Sequence, residues 1–379
     1  MSNRKTIMVF GIGKLAGPVV DSLAIRFPKH RFVFVSRNHE RSQRRANLSR
    51  YLAAQWGIFP DVLGDETDLL DSARTADLIN HYVPDVVFNA TTPFPWWKLE
   101  NLPEREKILS HKAGPGMWCA LDCLLPMHLT QALSIAASNA VHVNGCYPDM
   151  TNAFLSAQNC APRLGIGNIS NLVPGLQLGY AKELDISPDE VEIQIIGHHY
   201  VSWNAPSDRG CPDAPYELAV THPTGQLRFH GPNDAPFEVL RRRATRVRGL
   251  DGLGVTIGSA ATLLAELLGY APRRHHSPGA NGLPGGYPVR LGSQGEVTLD
   301  LPINLTMPEA IEVNKRAQVF DGVLHVEAGK VIATALAQEA YLEVVGTTLP
   351  EVTFSNIIDL SHDAVSRLEH RFNLGLKKI

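Results

Sequence analysis

Cysteine is scarce in this chain and follows no pattern. Five are spread over 379 residues, Cys119, Cys123, Cys146, Cys160 and Cys211, with no Cys-x-x-Cys pair. Such a set excludes a disulfide framework and reads as reduced thiols in a cytoplasmic protein, with Cys119 and Cys123 as core residues one helical turn apart. Charge of one sign is lacking as well. Lys and Arg number 35 against 38 Asp and Glu, a net charge of −3, so no general attraction to nucleic acid is expected. The one basic cluster, Arg241, Arg242, Arg243, Arg246 and Arg248, reads as a solvated helix face or a site for an anionic substrate. No run of about 18 uninterrupted apolar residues occurs, so no membrane partner is expected. The opening MSNRKTIMVFGIG has no long apolar core, which argues against a signal peptide. G-x-S-x-G, H-E-x-x-H and the Walker A pattern are also missing, which removes the motif-borne hydrolase, zinc-protease and P-loop chemistries.

What is present is alternation. TIMVF (6–10), RFVFVS (31–36), PDVLG (60–64), PDVVFNA (84–90) and AVHVNG (140–145) are short strand-like runs separated by helical stretches, the pattern of a parallel, doubly wound sheet. The helix over 38–56 is polar and basic on one face, with Leu48, Tyr51, Leu52 and Trp56 at helical spacing on the other. A long insertion, 93–119, precedes a helix through about residue 137 and is a candidate lid over the ligand crevice. Beyond residue 150 the character changes. A short helix leads to LGIGNI (164–169), a helix over 172–184 and a strand VEIQIIGHH (191–199). A Pro-, Gly- and Asp-rich loop system over 203–235 and a helix over 257–269 follow. The breaker-rich HHSPGANGLPGGYPVR (275–290) comes next, then a helix with Ala310, Ile311, Val313 and Ala317, and a last helix over 360–372.

The division expected is a dinucleotide-binding domain over 1–150, a substrate domain over 151–325, and an extension over 326–379 packed on the second domain. The fold class is α/β, an N-terminal Rossmann doubly wound sheet with a C-terminal α+β substrate domain. The extension and the apolar helix around 117–137 suggest surfaces that a monomer would expose, and hence a homodimer.

The motif GIGKLAG (11–17) follows the first strand and opens a helix. Gly11 and Gly13 permit a tight turn and close approach to a pyrophosphate, with Ala16 in the third small position of G-x-G-x-x-G/A. Gly11, Gly13, Lys14 and Leu15 are therefore cofactor candidates, since the helix start offers free amides to the phosphates. Strand two ends in Ser36-Arg37-Asn38, followed by Arg41, Arg44 and Arg45. An NAD-binding chain usually places a carboxylate there, and a hydroxyl with a guanidinium suits a 2′-phosphate, so NADP is favoured over NAD. Asn89, Thr91 and Thr92 end the fourth strand and can hydrogen-bond ribose or phosphate, or simply form a Thr-Pro turn.

Residues 144–204 resemble the second domain of the lactate and malate dehydrogenases and of the NAD-dependent family 4 glycosidases. The likeness lies in Cys146-Tyr147-Pro148-Asp149, Gly165-Ile166-Gly167-Asn168, Asn171-Leu172 and Gly197-His198-His199, and continues over 282–318. It implies that His199 matches the catalytic histidine of the dehydrogenases and a metal-ligand histidine of the glycosidases. The dehydrogenases' substrate-binding arginine and the aspartate that orients their histidine both fall in Val173–Leu176, which holds neither. The glycosidases' metal cysteine falls near Gly167–Ser170, where there is none. Residues 64–94 are similar to the NADP-binding domain of saccharopine-dehydrogenase-type enzymes, which work through imines.

These readings converge on an NADP(H)-dependent oxidoreductase that moves a hydride to or from a small polar metabolite. Histidine suits the matching proton transfer near neutrality, and His199 is the acid/base candidate. His198 points to the opposite face if the strand is regular. Asp149 and Asn168, after strand ends, could orient the histidine, bind substrate, or serve only as turn and cap residues. No metal site is expected, because His275-His276 has no ligand partners at suitable spacing and reads as part of a mobile loop. The alternatives are an opine-type enzyme reducing an imine, an NAD- and metal-dependent glycoside hydrolase, and a non-catalytic dinucleotide sensor.

Overall fold

The computed structural model describes residues 4–292 and 295–376. The first three residues, Ser293-Gln294 within the 282–318 likeness, and the last three residues of the extension lie outside the described residues.

The chain begins β1 (Thr6–Phe10), α1 (Ala16–Arg26), β2 (Arg31–Ser36), α2 (His39–Ala54), β3 (Asp61–Glu66), α3 (Ser72–Tyr82) and β4 (Val86–Asn89). The insertion forms α4 (Glu104–Ala113) between two 3-10 turns, then α5 (Cys119–Ile135), β5 (Val141–Asn144), α6 (Pro148–Leu155) and β6 (Leu164–Gly165). Six parallel strands run in the order β3-β2-β1-β4-β5-β6, which puts the switch point beside β1. The inner residues of β1, β2 and β4 are buried, as strands covered by helices on both faces require. β6 is shorter than LGIGNI suggests, because Gly167 (φ +78°) and Asn168 (φ +48°) turn the chain out of the sheet.

The second half holds α7 (Val173–Leu184), β7 (Glu192–Ile196), α8 (His199–Asn204), β8 (Glu217–His222), β9 (Gly225–His230), α9 (Glu238–Arg242) and α10 (Gly254–Leu267). The strand expected over 191–199 stops at Ile196, and His199 already belongs to a helix. Part of the expected loop over 203–235 is the hairpin β8–β9, in which β9 alternates Leu227 and Phe229 with polar residues but is mostly exposed, a short pattern that the sequence hides among Pro, Gly and Asp. β10 (His275–Pro278), β11 (Gly286–Leu291) and β12 (Val297–Leu299) make an antiparallel sheet, followed by α11 (Met307–Ala317). The stretch Gly249–Leu267 is long and apolar enough to cross a membrane by length and composition alone. Its Ala260, Leu263, Leu264 and Leu267 are buried in one cluster with Val19, Val20 and Leu23 of α1.

The extension folds as β13 (Val323–Glu327), β14 (Lys330–Ala333), α12 (Ala335–Val345), β15 (Val352–Thr353) and α13 (Ile357–Phe372). It was expected on the second domain. Instead α12 lies against α4 and α13 against α5, both within the first 150 residues. Ile357, Ala364, Val365 and Leu368 bury against Cys119–Leu124 of α5, and Leu129, Ala132 and Leu133 of α5 meet α3. The apolar helix and the tail therefore cover each other inside one chain, which removes the exposed-surface argument for a homodimer. The opposite holds for α2. Its buried residues are the small Ser42, Ala46, Ser49 and Ala53, while Leu48, Tyr51, Leu52 and Trp56 face solvent.

Candidate functional site

The carboxyl ends of β1, β4, β5 and β6 line one edge of the sheet. The loops beyond them are tied by Gly11 N–H to Val35 O (2.9 Å), Ala90 N–H to Phe10 O (2.9 Å) and Gly145 N–H to Asn89 O (2.8 Å). Gly11 has φ +108°, and a Cβ there would meet the Ala90 carbonyl oxygen at 2.8 Å, so only glycine fits. Gly13 opens on free space. No side chain caps α1 and its first turn carries no acid, which leaves its N-terminus suited to a pyrophosphate. These residues fit a dinucleotide, with Lys14 exposed and Leu15 against Gly145.

The other cofactor candidates divide. Arg37 is exposed at the end of β2. Ser36 Oγ is shared with Ser42 Oγ (2.7 Å), and Asn38 caps α2 by accepting from Arg41 N–H (2.9 Å). Arg45 is withdrawn to Asp21 (2.5 Å) over Gly17, and Arg44 pairs with Glu40. Thr91 and Thr92 flank the crevice, but Asn89 does not face it. Its amide is fully buried, donating to Asn144 Oδ1 (3.0 Å) and accepting from Thr91 Oγ1 (2.6 Å). Asn89 therefore shapes the Thr91 loop from behind. Asn144 continues the relay to Asn152 (2.9 Å), which donates to Gly279 O (3.1 Å) in the second half.

Two histidines converge on one carboxylate. Because β7 ends before them, His198 and His199 do not alternate: both Nδ1 atoms reach Asp321, at 2.5 and 2.8 Å, and the Tyr200 N–H also donates to it (2.7 Å). This corrects the expectation that His198 turns away. His198 is fully buried, whereas 22% of the His199 side chain is exposed, so His199 is the ring that can meet a ligand. Burial alone would lower the His199 pKa. The carboxylates Asp321, Asp149 and Asp122 outweigh it and hold the ring above its ordinary value of 6.5. Burial likewise opposes charge on Asp321, but His199 and the two imidazole bonds hold it well below the usual carboxylate range.

The surroundings come from the ends of β5, β6 and α5. Tyr147, in a left-handed conformation (φ +36°), sets its ring edge-on to His199 at 5.6 Å. Asp149, in the first turn of α6, accepts from the Asn168 amide, so these two candidates pair with each other. Burial raises the Asp149 pKa and pushes Asp122 up to about 7, beside the Cys146 thiol at 3.5 Å. Trp203 stacks on His199 (6.1 Å, 24°), and Trp96 of the insertion meets Trp203 edge-on at 5.8 Å. Sequence reasoning missed Asp321, 122 residues away in the chain from His199. It also missed Asp122, Tyr147, Trp96 and Trp203 as site residues. Tyr147 carried a usable signal, since it follows a strand end inside the quoted Cys146–Asp149 motif.

His275 and His276 do not form a mobile loop. They are buried in β10, where His275 meets Glu266 (2.8 Å) and His276 Nε2 accepts from the Ile195 N–H (3.1 Å). Burial lowers the His276 pKa to about 3. Among the described residues no group of three or more His, Cys, Asp or Glu could hold a metal ion. In the basic cluster, Arg241, Arg242 and Arg243 pair with Asp234, Glu238 and Glu183.

No protein-family model matches the chain, and no curated protein matches it in sequence. Solved structures do. The lactate dehydrogenase of Cryptosporidium parvum, complexed with lactic acid and β-nicotinamide adenine dinucleotide, is 17% identical with a TM-score of 0.51, over 85% of this chain and 99% of that one. The malate dehydrogenase of Plasmodium falciparum is 12% identical with a TM-score of 0.52, over 89% and 98%. That of Aeropyrum pernix is 15% identical with a TM-score of 0.50, over 83% and 95%. At such identities the likeness establishes the fold alone: a Rossmann-type sheet joined to a second half of the lactate and malate dehydrogenase type.

Proposed function

We propose that this chain is an NADP(H)-dependent oxidoreductase that transfers a hydride to or from a small polar metabolite, with His199 as its acid/base. The observation that carries the reading is the His199–Asp321 pair, with His199 edge-on to Tyr147, two residues after the Gly145 that approaches Leu15 of the glycine loop. Asp321 accepts from His199 Nδ1–H and fixes that tautomer, which makes Nε2 the nitrogen that exchanges the proton. A carboxylate in this role has come from a different part of the chain than the resemblance implies, because Val173–Leu176 cannot supply one. The bound dinucleotide would supply or accept the hydride. His199 gives or takes the accompanying proton, Tyr147 and Trp203 fix its ring, and Trp96 helps to exclude water. NADP rather than NAD is supported by Ser36-Arg37 in place of a carboxylate at the end of β2.

The test is turnover. A screen of carbonyl compounds and imines for NADPH oxidation identifies a substrate, and His199→Gln should then lose roughly 10²–10⁴-fold in rate while dinucleotide affinity holds. Full activity in that variant would overturn the assignment.

A further inference from the structure

Asp321 stands on a loop that two distant parts of the chain hold. It ends the 3-10 turn after α11, and Gly322 behind it turns left-handed (φ +80°) into β13. The insertion supplies one side. A Cβ on Gly114 would lie 2.6 Å from the Asp321 carbonyl carbon and 2.9 Å from its Cα, and one on Gly116 would lie 2.9 Å from the Asp321 carbonyl oxygen. A Cβ on Gly322 would in turn run into the Ala113 carbonyl. Backbone therefore packs directly on backbone, which only glycine permits at such approach. The extension supplies the other side. Thr334 N–H donates to the Gly322 carbonyl (2.9 Å), and the Ala337 Cβ of α12 lies 3.2 Å from where a Gly322 Cβ would stand. Ala337, Ala340, Tyr341 and Val344 of α12 share one buried cluster with Ala113, Met117 and Trp118, so insertion and extension brace each other. The other end of the insertion returns to the same pair, since Trp96 meets Trp203, which stacks on His199.

We propose that Gly114 and Gly116 are positioning residues for the acid/base: with α12 as their backing they seat the Asp321 backbone, and through it they set the Nδ1 bond and the charge of His199. The inference deepens the reading of His199 as the acid/base and rests on it. A bond of 2.8 Å tolerates little displacement, and a shift of about 0.5–1 Å takes it out of hydrogen-bond range. A methyl added at Gly116 forces a shift of that order, because non-bonded carbon and oxygen atoms settle well beyond 2.9 Å. His199 also faces Asp149 and Asp122, and Asp122 lies on α5, a few residues beyond Gly116. The test must therefore separate Asp321 from these two.

The experiment is a histidine titration by NMR on the full chain, without dinucleotide or substrate, with the His199 signal assigned by its loss in His199→Gln. Gly116 needs no left-handed backbone, so Gly116→Ala adds a methyl against the Asp321–Gly322 backbone and no conformational strain of its own. The His199 titration point should fall in this variant. The fall should vanish when Asp321→Asn is present as well, since the two changes then act on one interaction. Leu368→Ala, on α13, should destabilise the protein and leave the titration point where it was. With a substrate in hand, turnover of Gly116→Ala should drop at least roughly ten-fold while dinucleotide affinity holds. An unmoved His199 in folded Gly116→Ala overturns the proposal. So does a shift that persists beside Asp321→Asn, or one that Leu368→Ala reproduces. Should Gly116→Ala not fold, Ala337→Val presses on Gly322 from α12 and is read in the same way. The titration needs no turnover, so a failed search for dehydrogenase activity leaves its result standing, and an unmoved His199 leaves the hydride reading to its own test.

Discussion

A single buried carboxylate organises the chemistry at the residue scale. Asp321 is 1% exposed and serves His198, His199 and the Tyr200 amide. Its depressed pKa contributes stability that is present above its ordinary 3.8 and lost as pH falls through the lower folded value. The raised pKa of His199 contributes stability that is present below 6.5 and lost as pH rises through its folded value. The pair therefore stabilises the fold most between 3.8 and 6.5. Asp321→Asn should lower the His199 titration point seen by NMR and flatten this pH profile. It should also cost about 3–5 kcal/mol in urea unfolding, as expected for breaking a buried pair. An unshifted His199 would show that the other carboxylates control it. Sequence could mark His199 through a motif, but Asp321 follows an ordinary helix and only tertiary folding brings it there. The same limit applies to Asn89. Its place at a strand end was readable, whereas the turn of its amide into the protein depends on Asn144 from another strand.

Elements with strong local patterns were legible. β1 and β2 begin and end where their strand-like runs do, and the glycine motif follows directly. Where exposure and pattern part company, sequence misleads. α2 presents large apolar residues to solvent because its close approach to the sheet admits only small ones: a Cβ on Gly64 of β3 would lie 2.4 Å from the Gln43 backbone. The tail was opaque for the opposite reason, since its amphipathic α13 says that it packs but not on what. Its contact with α5 gives a direct test. Leu368 is fully buried in that interface and Leu342 of α12 is 48% exposed. Leu368→Ala should cost roughly 2–5 kcal/mol in urea unfolding through lost burial and a cavity, and Leu342→Ala within about 0.5 kcal/mol of nothing. Equal effects would mean that α13 is not a structural cover for α5.

At the scale of the whole molecule, two unlike halves share one polar seam. The Asn89–Asn144–Asn152 relay ends on the Gly279 carbonyl, and Gly165 of β6 is held by Ser277 of β10 at 2.9 Å. This seam fixes the second half at the carboxyl edge of the sheet. His199 is thereby brought to Tyr147, two residues beyond the Gly145 that touches Leu15 of the glycine loop. On the function proposed above, the dinucleotide end and the acid/base are thus joined by a short run of structure. A crystal structure of the NADP complex tests it most directly. The pyrophosphate should lie on the amides of Gly11–Leu15 and the 2′-phosphate at Arg37, with nicotinamide C4 directed at His199 Nε2. A nicotinamide ring turned away from His199, or a dinucleotide bound elsewhere, would contradict it.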